Sequence, residues 1–339
     1  MVERPGGQVR AAVVGTGLIG GSLLLRMHAA GLDVIGWDPD DDTRREARRV
    51  GVPAPDRLVE AVADRDVVFL CGPLPTLPAT LVEVAVATGE HCVLTDVGSA
   101  KEEVAAFAAT RGLTHRFVPG HPMAGSDRAG LTAAGPDLLT GAAWVLCPEP
   151  GRATTAFRWL AGLLVDNFGA RVVPMSAAEH DSAAALASHV PHLLAGALAG
   201  AVQRSPLRDA ILALAAGSFS DGTRVAGTPA DRTANMLLGN RDRVLRELAG
   251  VTAFLDDLAA ALRAGDAPAL TARYDEAGAS RAALRDRRFD AYDRQFPVDG
   301  DHTAEVSWLR ELGVAGGHLI GLHVDVNTVS YAARRPAAD

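Results

Sequence analysis

A glycine-rich turn between a predicted strand and a predicted helix constrains this fold more than any other feature. Residues 9–14 form a short run of apolar, largely β-branched side chains, typical of a buried strand, and residues 23–27 show helical periodicity. Between them lies the segment Gly15-Thr16-Gly17-Leu18-Ile19-Gly20. In such a turn the first glycine permits the tight bend, the second admits a pyrophosphate, and the third packs helix on strand. The helix N-terminus then offers amides to phosphates, so these six residues are candidate cofactor ligands.

An acidic residue follows the second predicted strand, residues 33–37, at about 20 residues beyond the turn. This residue, Asp38, is expected to bind the ribose hydroxyls of the cofactor. Its carboxylate repels a 2′-phosphate, which favours NAD over NADP. Arg44 and Arg45 lie close behind and weaken that preference.

Three further strands of the parallel type are predicted at residues 67–71, 91–96 and 116–119. Their carboxyl ends lead into Gly72 and Pro73, into the segment that ends at Ser99, and into His121. In an open α/β sheet, ligands bind at this edge. The fold class predicted is therefore α/β, with a Rossmann-type doubly wound sheet and with Gly72 and Pro73 in the cofactor site.

His121 begins the segment His121-Pro122-Met123-Ala124-Gly125-Ser126, in which proline and glycine restrict the backbone. A neutral imidazole accepts a proton near physiological pH, so His121 is a candidate general base beside the bound nucleotide. A solvated loop histidine is the alternative interpretation of this residue alone.

Helical periodicity dominates from Ser176 to about Phe296. Ser176, with Glu179 three residues later, is predicted to cap a long helix, and Pro191 to kink it. The predicted organisation is a dinucleotide-binding domain at 1–175, an all-helical substrate and dimerisation domain at 176–297, and an unassigned tail at 298–339. Wide faces of alanine and leucine predict a homodimer, and the tail is either a remnant or a dimer element.

Polar residues interrupt these helices at two places. His189 and His192 share one helix face and either line a cleft or are satisfied core histidines. His180 lies nearby, but no metal-binding pattern such as H-E-x-x-H accompanies it, and Asp181 is expected to bond it as a structural pair. Residues 217–223 are predicted to break the helical pattern and to present Arg224, a side chain suited to gripping a carboxylate.

The composition of this 339-residue chain, with 48% hydrophobic and 22% charged residues, is typical of a globular protein of two domains. A net charge of −8 argues against a nucleic-acid partner. Neither a signal peptide nor a membrane span is indicated, so a cytoplasmic location is expected. Lys101 is the only lysine, which excludes mechanisms that need a lysine in the second domain.

Taken together, these motifs make the chain resemble the prephenate dehydrogenase family, which includes the arogenate dehydrogenases of tyrosine biosynthesis. The resemblance extends over about residues 9–297 and rests on residues 15–20, 96–101, 120–125, 188–192 and 219–224. It implies NAD-dependent oxidative decarboxylation of prephenate to 4-hydroxyphenylpyruvate, with no metal.

The resemblance also assigns roles to single residues. It implies that His121 accepts the proton of the ring hydroxyl and that Ser99 bonds both this hydroxyl and the histidine. His189 and His192 would line the substrate side, and Arg224 would hold a substrate carboxylate. Asp127 stands where the family often has a glutamate that guards the site.

Two departures from the family pattern leave the substrate open. Ser220 replaces a frequent arginine, and Thr233 replaces a frequent aromatic residue. Arogenate and 4-amino-4-deoxyprephenate are therefore alternative substrates. A non-catalytic NAD-binding regulator is a third alternative, although the joint presence of Ser99, His121 and Arg224 argues against it.

Overall fold

The computed structural model describes residues 8–126 and 128–337. The strands are β1 (Arg10–Val14), β2 (Asp33–Trp37), β3 (Val67–Leu70), β4 (Val93–Asp96), β5 (Phe117–Val118), β6 (Gly120–Pro122), β7 (Ala143–Leu146), β8 (Arg171–Pro174), β9 (Phe289–Ala291), β10 (Arg294–Pro297), β11 (His318–Val324) and β12 (Thr328–Pro336). The α-helices are α1 (Leu18–Ala29), α2 (Asp41–Arg49), α3 (Leu58–Val62), α4 (Leu77–Ala87), α5 (Glu102–Thr110), α6 (Arg152–Phe168), α7 (Ala177–Ala184), α8 (Val190–Gln203), α9 (Arg208–Leu214), α10 (Gly217–Thr223), α11 (Ala230–Gly239), α12 (Arg241–Ala264), α13 (Ala267–Arg285) and α14 (Thr303–Val314).

The first sheet has the strand order β2-β1-β3-β4-β5, and every neighbouring pair is parallel. Its strands are buried on both faces, which explains their continuous apolar sequences. Val13 and Phe69 belong to one hydrophobic cluster, whereas Val14 and Leu70 belong to the cluster on the opposite face. The predicted Rossmann-type sheet is confirmed.

A second sheet, of order β10-β12-β11-β8-β7-β6, combines strands from residues 120–174 with strands from the C-terminal segment. Leu319 of β11 pairs antiparallel with Val172 of β8, and β9 pairs with β12. Trp144, Trp308 and Tyr331 are buried in the same cluster that covers one face of the first sheet. The segment left unassigned by the sequence thus adds α14, β11 and β12 to this core.

The helical segment begins as predicted and ends earlier. The Ser176 hydroxyl and the Glu179 carboxylate form the expected capping box at the start of α7. A π-turn at Ala185–His189 joins α7 to α8 just before Pro191, where the missing proline amide would otherwise strain a regular helix. The last helix of this segment, α13, ends at Arg285, and strands follow where the periodicity indicates helix to about residue 296.

The prediction that residues 217–223 break the helical pattern is wrong, because Gly217–Thr223 forms α10. Glycine, serine, aspartate and threonine, which make up most of this segment, are poor helix formers, but here the segment packs beside α8, so tertiary contact overrides propensity. Arg224 lies directly after this helix, in a 3-10 turn that spans Arg224–Gly227.

Many large apolar side chains of the helical segment are exposed in the single chain. They include Leu186, Leu194, Leu198, Leu207, Leu212, Leu214, Leu238, Leu245, Leu255 and Leu262. By length and composition alone, the continuous helix at Ala177–Gln203 passes the test for a membrane span, and only 22% of its most apolar window is buried. An exposed apolar surface of this kind is typical of an interaction site.

Candidate active site

The glycine-rich turn has the geometry that its sequence predicts. Gly15 adopts a φ of +93°, and a Cβ atom there would lie 2.8 Å from the backbone of Cys71. A Cβ atom on Gly20 would lie 1.9 Å from the Gly15 carbonyl oxygen, so helix and strand can approach only with glycine at this position. A Cβ atom on Gly17 would meet no described atom within 4 Å, which leaves open space for a ligand beside the backbone.

Asp38 lies at the end of β2 and is held against the turn. The Thr16 amide donates a hydrogen bond of 2.7 Å to its Oδ2 atom. Arg44 donates to the Asp38 carbonyl oxygen over 2.6 Å, and both Arg44 and Arg45 form ion pairs with aspartates of their own helix, α2. The two arginines are thus already engaged, which strengthens the expected preference against a 2′-phosphate.

Gly72, Pro73 and Ser99 follow the carboxyl ends of β3 and β4, at the edge where the turn lies. The Gly72 backbone contacts Gly15, and Pro73 precedes the 3-10 turn at Leu74–Thr76. The Ser99 hydroxyl makes no hydrogen bond with any described residue, so its predicted bond to His121 is not formed in this structure.

His121 lies in β6 and is hydrogen-bonded to a second histidine. Its Nδ1 atom lies 2.8 Å from Nε2 of His180, whose Nδ1 atom lies 2.7 Å from Oδ1 of Asp181. His180 and Asp181 are buried, at 1% and 2% exposure. The predicted pair of His180 and Asp181 is therefore present, and it is connected to the candidate base.

The surroundings of His121 keep its ring neutral. Burial lowers its pKa well below the usual value of 6.5, and the nearby His180, Lys101, His189 and Arg232 add to this shift. The neutral form of an imidazole is the one that accepts a proton. The described residues offer Nε2 of His121 no hydrogen bond, in contrast to Nδ1.

A buried ion pair fixes the backbone next to this histidine. Lys101 pairs with Asp96, and both side chains are fully buried. The Lys101 Nζ atom also donates to the Gly120 carbonyl oxygen over 2.9 Å, and the Gly120 amide donates to Asp96 over 3.2 Å. The only lysine of the chain thus positions the residue before His121.

His189 and His192 occupy different environments. His189 is fully buried, and the Asn240 side-chain amide donates to its Nδ1 atom over 3.1 Å. Burial, followed by the neighbouring His180, lowers the pKa of His189 to about 4. Its Nε2 atom is buried without a well-formed hydrogen bond, while the Ser99 backbone lies close. His192 is half-buried, with its Nδ1 atom 2.8 Å from the Ser188 carbonyl oxygen.

An arginine that the sequence motifs do not include lies against the loop of the candidate base. Arg224 is exposed in the single chain. Arg232, in the first turn of α11, has its Nη2 atom 3.3 Å from the position of a Cβ atom on Gly125, in the loop that follows His121. Arg232 is also exposed in the single chain, but partial desolvation of its guanidinium lowers its pKa, and no carboxylate among the described residues pairs with it.

Sequence reasoning missed Arg232 because a single arginine at the start of a helix carries no motif. Asp127, the predicted guarding residue, lies outside the described residues.

Comparison with known proteins decides the family. Residues 22–174 match the family described as prephenate dehydrogenase, nucleotide-binding domain, and residues 176–276 match prephenate dehydrogenase, dimerization domain. The chain belongs to the prephenate dehydrogenase family. The resemblance drawn from the motifs is confirmed, as is the fold of a dinucleotide-binding sheet followed by a helical domain.

Individual relatives agree with this assignment. A prephenate dehydrogenase of Bacillus subtilis is 34% identical over 69% of this chain and 64% of its own length. A cyclohexadienyl dehydrogenase of Zymomonas mobilis is 30% identical over 81% of this chain and 95% of its own length. The structure of Synechocystis arogenate dehydrogenase has a TM-score of 0.69 at 26% identity and covers 81% of this chain and 100% of its own. The match thus spans slightly less than two thirds of the Bacillus subtilis protein.

Proposed function

We propose that this protein catalyses the NAD-dependent oxidative decarboxylation of prephenate to 4-hydroxyphenylpyruvate. The observation that carries the proposal is a neutral His121 at the carboxyl edge of the sheet, with an arginine that lacks a described carboxylate partner against its loop. A base and an anion ligand are what this reaction demands of the protein.

The glycine-rich turn fits the dinucleotide. Gly15 and Gly20 are sites where a Cβ atom would collide with the backbone, and the space at Gly17 is open. When bound, NAD supplies the hydride acceptor of the reaction. The chain's own contribution there is the start of α1, which has no side-chain cap and leaves its amides available, and the carboxylate of Asp38 for the ribose.

His121 would accept the proton of the ring hydroxyl at Nε2 while the hydride leaves the carbon that bears this hydroxyl. The free hydroxyl of Ser99 would orient the substrate hydroxyl. Loss of the ring carboxylate as carbon dioxide then makes the ring aromatic: the bonding electrons move through the ring to the ketone oxygen, which takes back the proton held by His121 and becomes the phenol hydroxyl. The residues bind and orient the substrate in this second step, and no further acid or base is needed.

Two arginines are available for the two carboxylates of prephenate. Arg224 is the ligand that the family resemblance implies, and its exposed guanidinium has no competing carboxylate among the described residues. Arg232 adds a second cation on the loop of His121. This arginine offsets the cation that is lost where Ser220 departs from the family pattern, so we assign prephenate rather than an amine-bearing analogue. His189 and His192 would line the substrate side.

We propose further that the protein is a cytoplasmic homodimer. The chain contains the family's dimerization domain, and the exposed leucines of α8, α9 and α12 lie within it. Burying these side chains against a second copy removes apolar surface from water. Burial in a dimer would also explain why the helix at Ala177–Gln203 is so apolar, with no need for a membrane span.

The experiment that tests this function is a direct comparison of substrates. We expect purified protein to reduce NAD in the presence of prephenate, and to prefer NAD to NADP. The values of kcat/KM for prephenate, arogenate and 4-amino-4-deoxyprephenate decide the substrate. A preference above about tenfold, or about 1.4 kcal/mol in transition-state binding, for an amine-bearing compound would overturn the prephenate assignment.

Replacing Arg232 by alanine should mainly weaken substrate binding. The variant loses a charge-assisted hydrogen bond that is partly open to solvent, so we expect KM for prephenate to rise about tenfold. Steady-state kinetics measure this change, and KM for NAD should stay constant. Arg285→Ala, which removes an exposed arginine paired with Asp286, is the matched control. An unchanged KM for prephenate in Arg232→Ala would leave Arg224 as the only candidate carboxylate ligand.

A further inference from the structure

The hydrogen bonds behind His121 form a continuous chain that ends in a carboxylate. His121 bonds His180 over 2.8 Å, His180 bonds Asp181 over 2.7 Å, and the Asp181 carboxylate also accepts the backbone amides of Lys101 and Glu102 over 2.7 and 2.9 Å. The latter two bonds cap the start of α5. Asp181 is thus fixed by the main chain of a neighbouring helix and has no freedom to reorient.

The order of donors and acceptors along this chain of hydrogen bonds follows from the protonation state of Asp181, at its buried end. Burial raises the pKa of Asp181, but the hydrogen bonds from His180 and from the amides of Glu102 and Lys101 outweigh it and lower the pKa overall. The ionised carboxylate only accepts, so Nδ1 of a neutral His180 must carry the hydrogen. Nε2 of His180 is then an acceptor, and Nδ1 of His121 must be its donor. The lone pair of His121 is consequently left on Nε2.

We propose that Asp181, acting through His180, is the positioning residue that holds His121 in the tautomer whose Nε2 atom accepts the substrate proton. This inference rests on the proposed role of His121 as the base. The same arrangement would stabilise the positive charge that forms on the His121 ring. After proton uptake, Nδ1 of His121 still donates to His180, and the positive charge lies within two hydrogen bonds of a buried carboxylate.

The other charged groups around His121 cannot fill this role. Lys101 and Arg232 are cations and oppose protonation of the ring, and His189 is neutral because its pKa is lowered to about 4. The carboxylate of Asp96 is already paired with Lys101. Among the described residues at the site, Asp181 is therefore the acid whose charge is free to stabilise an imidazolium.

Asp181→Asn tests the inference with little change of shape. Oδ1 of Asp181 faces both Nδ1 of His180 and the Lys101 amide, and Oδ2 faces the Glu102 amide. With its NH₂ group in the place of Oδ1, the asparagine would donate to Nδ1 of His180 and its oxygen would accept from the Glu102 amide, while the Lys101 amide would lose its acceptor. That exchange reverses both tautomers and places a hydrogen on Nε2 of His121, as an asparagine in a catalytic triad does. We expect kcat to fall about 100-fold with KM for NAD unchanged, and the acid limb of the remaining activity to move to lower pH, because a negative charge is lost.

Two further measurements separate positioning from a merely structural role. Histidine ¹⁵N NMR of the full-length protein should show His121 with its hydrogen on Nδ1 in the wild type and on Nε2 in Asp181→Asn. His180→Gln, whose amide oxygen can accept from His121, should retain more activity than His180→Leu, which offers no acceptor. Glu90→Gln, at the exposed pair of His115 and Glu90, is the matched control.

The outcomes distinguish this inference from the proposed function. A wild-type His121 with its hydrogen on Nε2, or an Asp181→Asn protein with wild-type kcat, would overturn the positioning role. Absence of activity on prephenate in the wild type would instead refute the proposed function, and the tautomer seen by NMR would still report on the His121–His180–Asp181 chain.

Discussion

His121→Asn should lose between about 100-fold and 10,000-fold in kcat, the range typical for removal of a general base. Asparagine is similar in size and polar, but its amide does not take up a proton near neutral pH. NAD affinity should remain unchanged, because the imidazole acts on the substrate and lies outside the glycine-rich turn. Single-turnover rates with prephenate and a separate titration of NAD measure the two quantities.

The pH dependence provides an independent check of the same residue. The base form of His121 is lost as the pH falls through its pKa, which is lowered below 6.5 by burial and by neighbouring cations. The acid limb of kcat/KM should therefore lie well below pH 6.5 in the wild type and be absent in the variant. His115→Asn, at a partly exposed histidine that pairs with Glu90, should behave as wild type. Near-normal turnover of His121→Asn would remove this residue from the mechanism.

The local parts of the fold could be predicted from the sequence. The strand, turn and helix around Gly15 follow from a short apolar run, three glycines and helical periodicity, all within about 20 residues. The capping box at Ser176 and Glu179 is similarly local. In such segments the neighbours in sequence are also the neighbours in space, so the pattern contains the information that determines the structure.

Contacts between distant segments could not be predicted in this way. His121 and His180 are 59 residues apart in the chain, and their hydrogen bond depends on where α7 packs against β6. Arg232, which stands in no motif, reaches the same loop from α11, and both it and Arg224, which does stand in a motif, are exposed in the single chain. Motifs identified the family and the candidate base, but the side chains that surround this base depend on tertiary packing.

The C-terminal segment illustrates the same limit. Its strands carry no motif, and β11 pairs with β8, which lies far earlier in the sequence. A buried ion pair joins the C-terminal segment to the dinucleotide-binding domain. The Arg158 Nε atom of α6 donates to Glu305 of α14 over 2.8 Å, and the Tyr331 hydroxyl of β12 donates to the same carboxylate.

Glu305→Leu should destabilise the protein by about 3 to 5 kcal/mol, because it leaves the buried guanidinium of Arg158 without its counter-ion. Arg158 and Glu305 are 4% and 1% exposed, so water does not replace the lost partner. The Tyr331 hydroxyl loses its acceptor as well, and burial together with Glu305 raises the pKa of this tyrosine, so it cannot ionise to compensate. Urea denaturation followed by tryptophan fluorescence reports the loss, since Trp308 lies in the same core.

A surface pair between the same regions serves as the control. Arg310 of α14 donates to Glu149, just before α6, over 2.6 Å, but both side chains are partly exposed. Glu149→Gln should therefore cost less than about 1 kcal/mol. If both variants lost the same small amount, the C-terminal segment would be an appendage on the dinucleotide-binding domain. A large loss confined to Glu305→Leu would instead establish that the domain requires α14, β11 and β12 to complete its core, because only a buried, uncompensated charge has so large a cost.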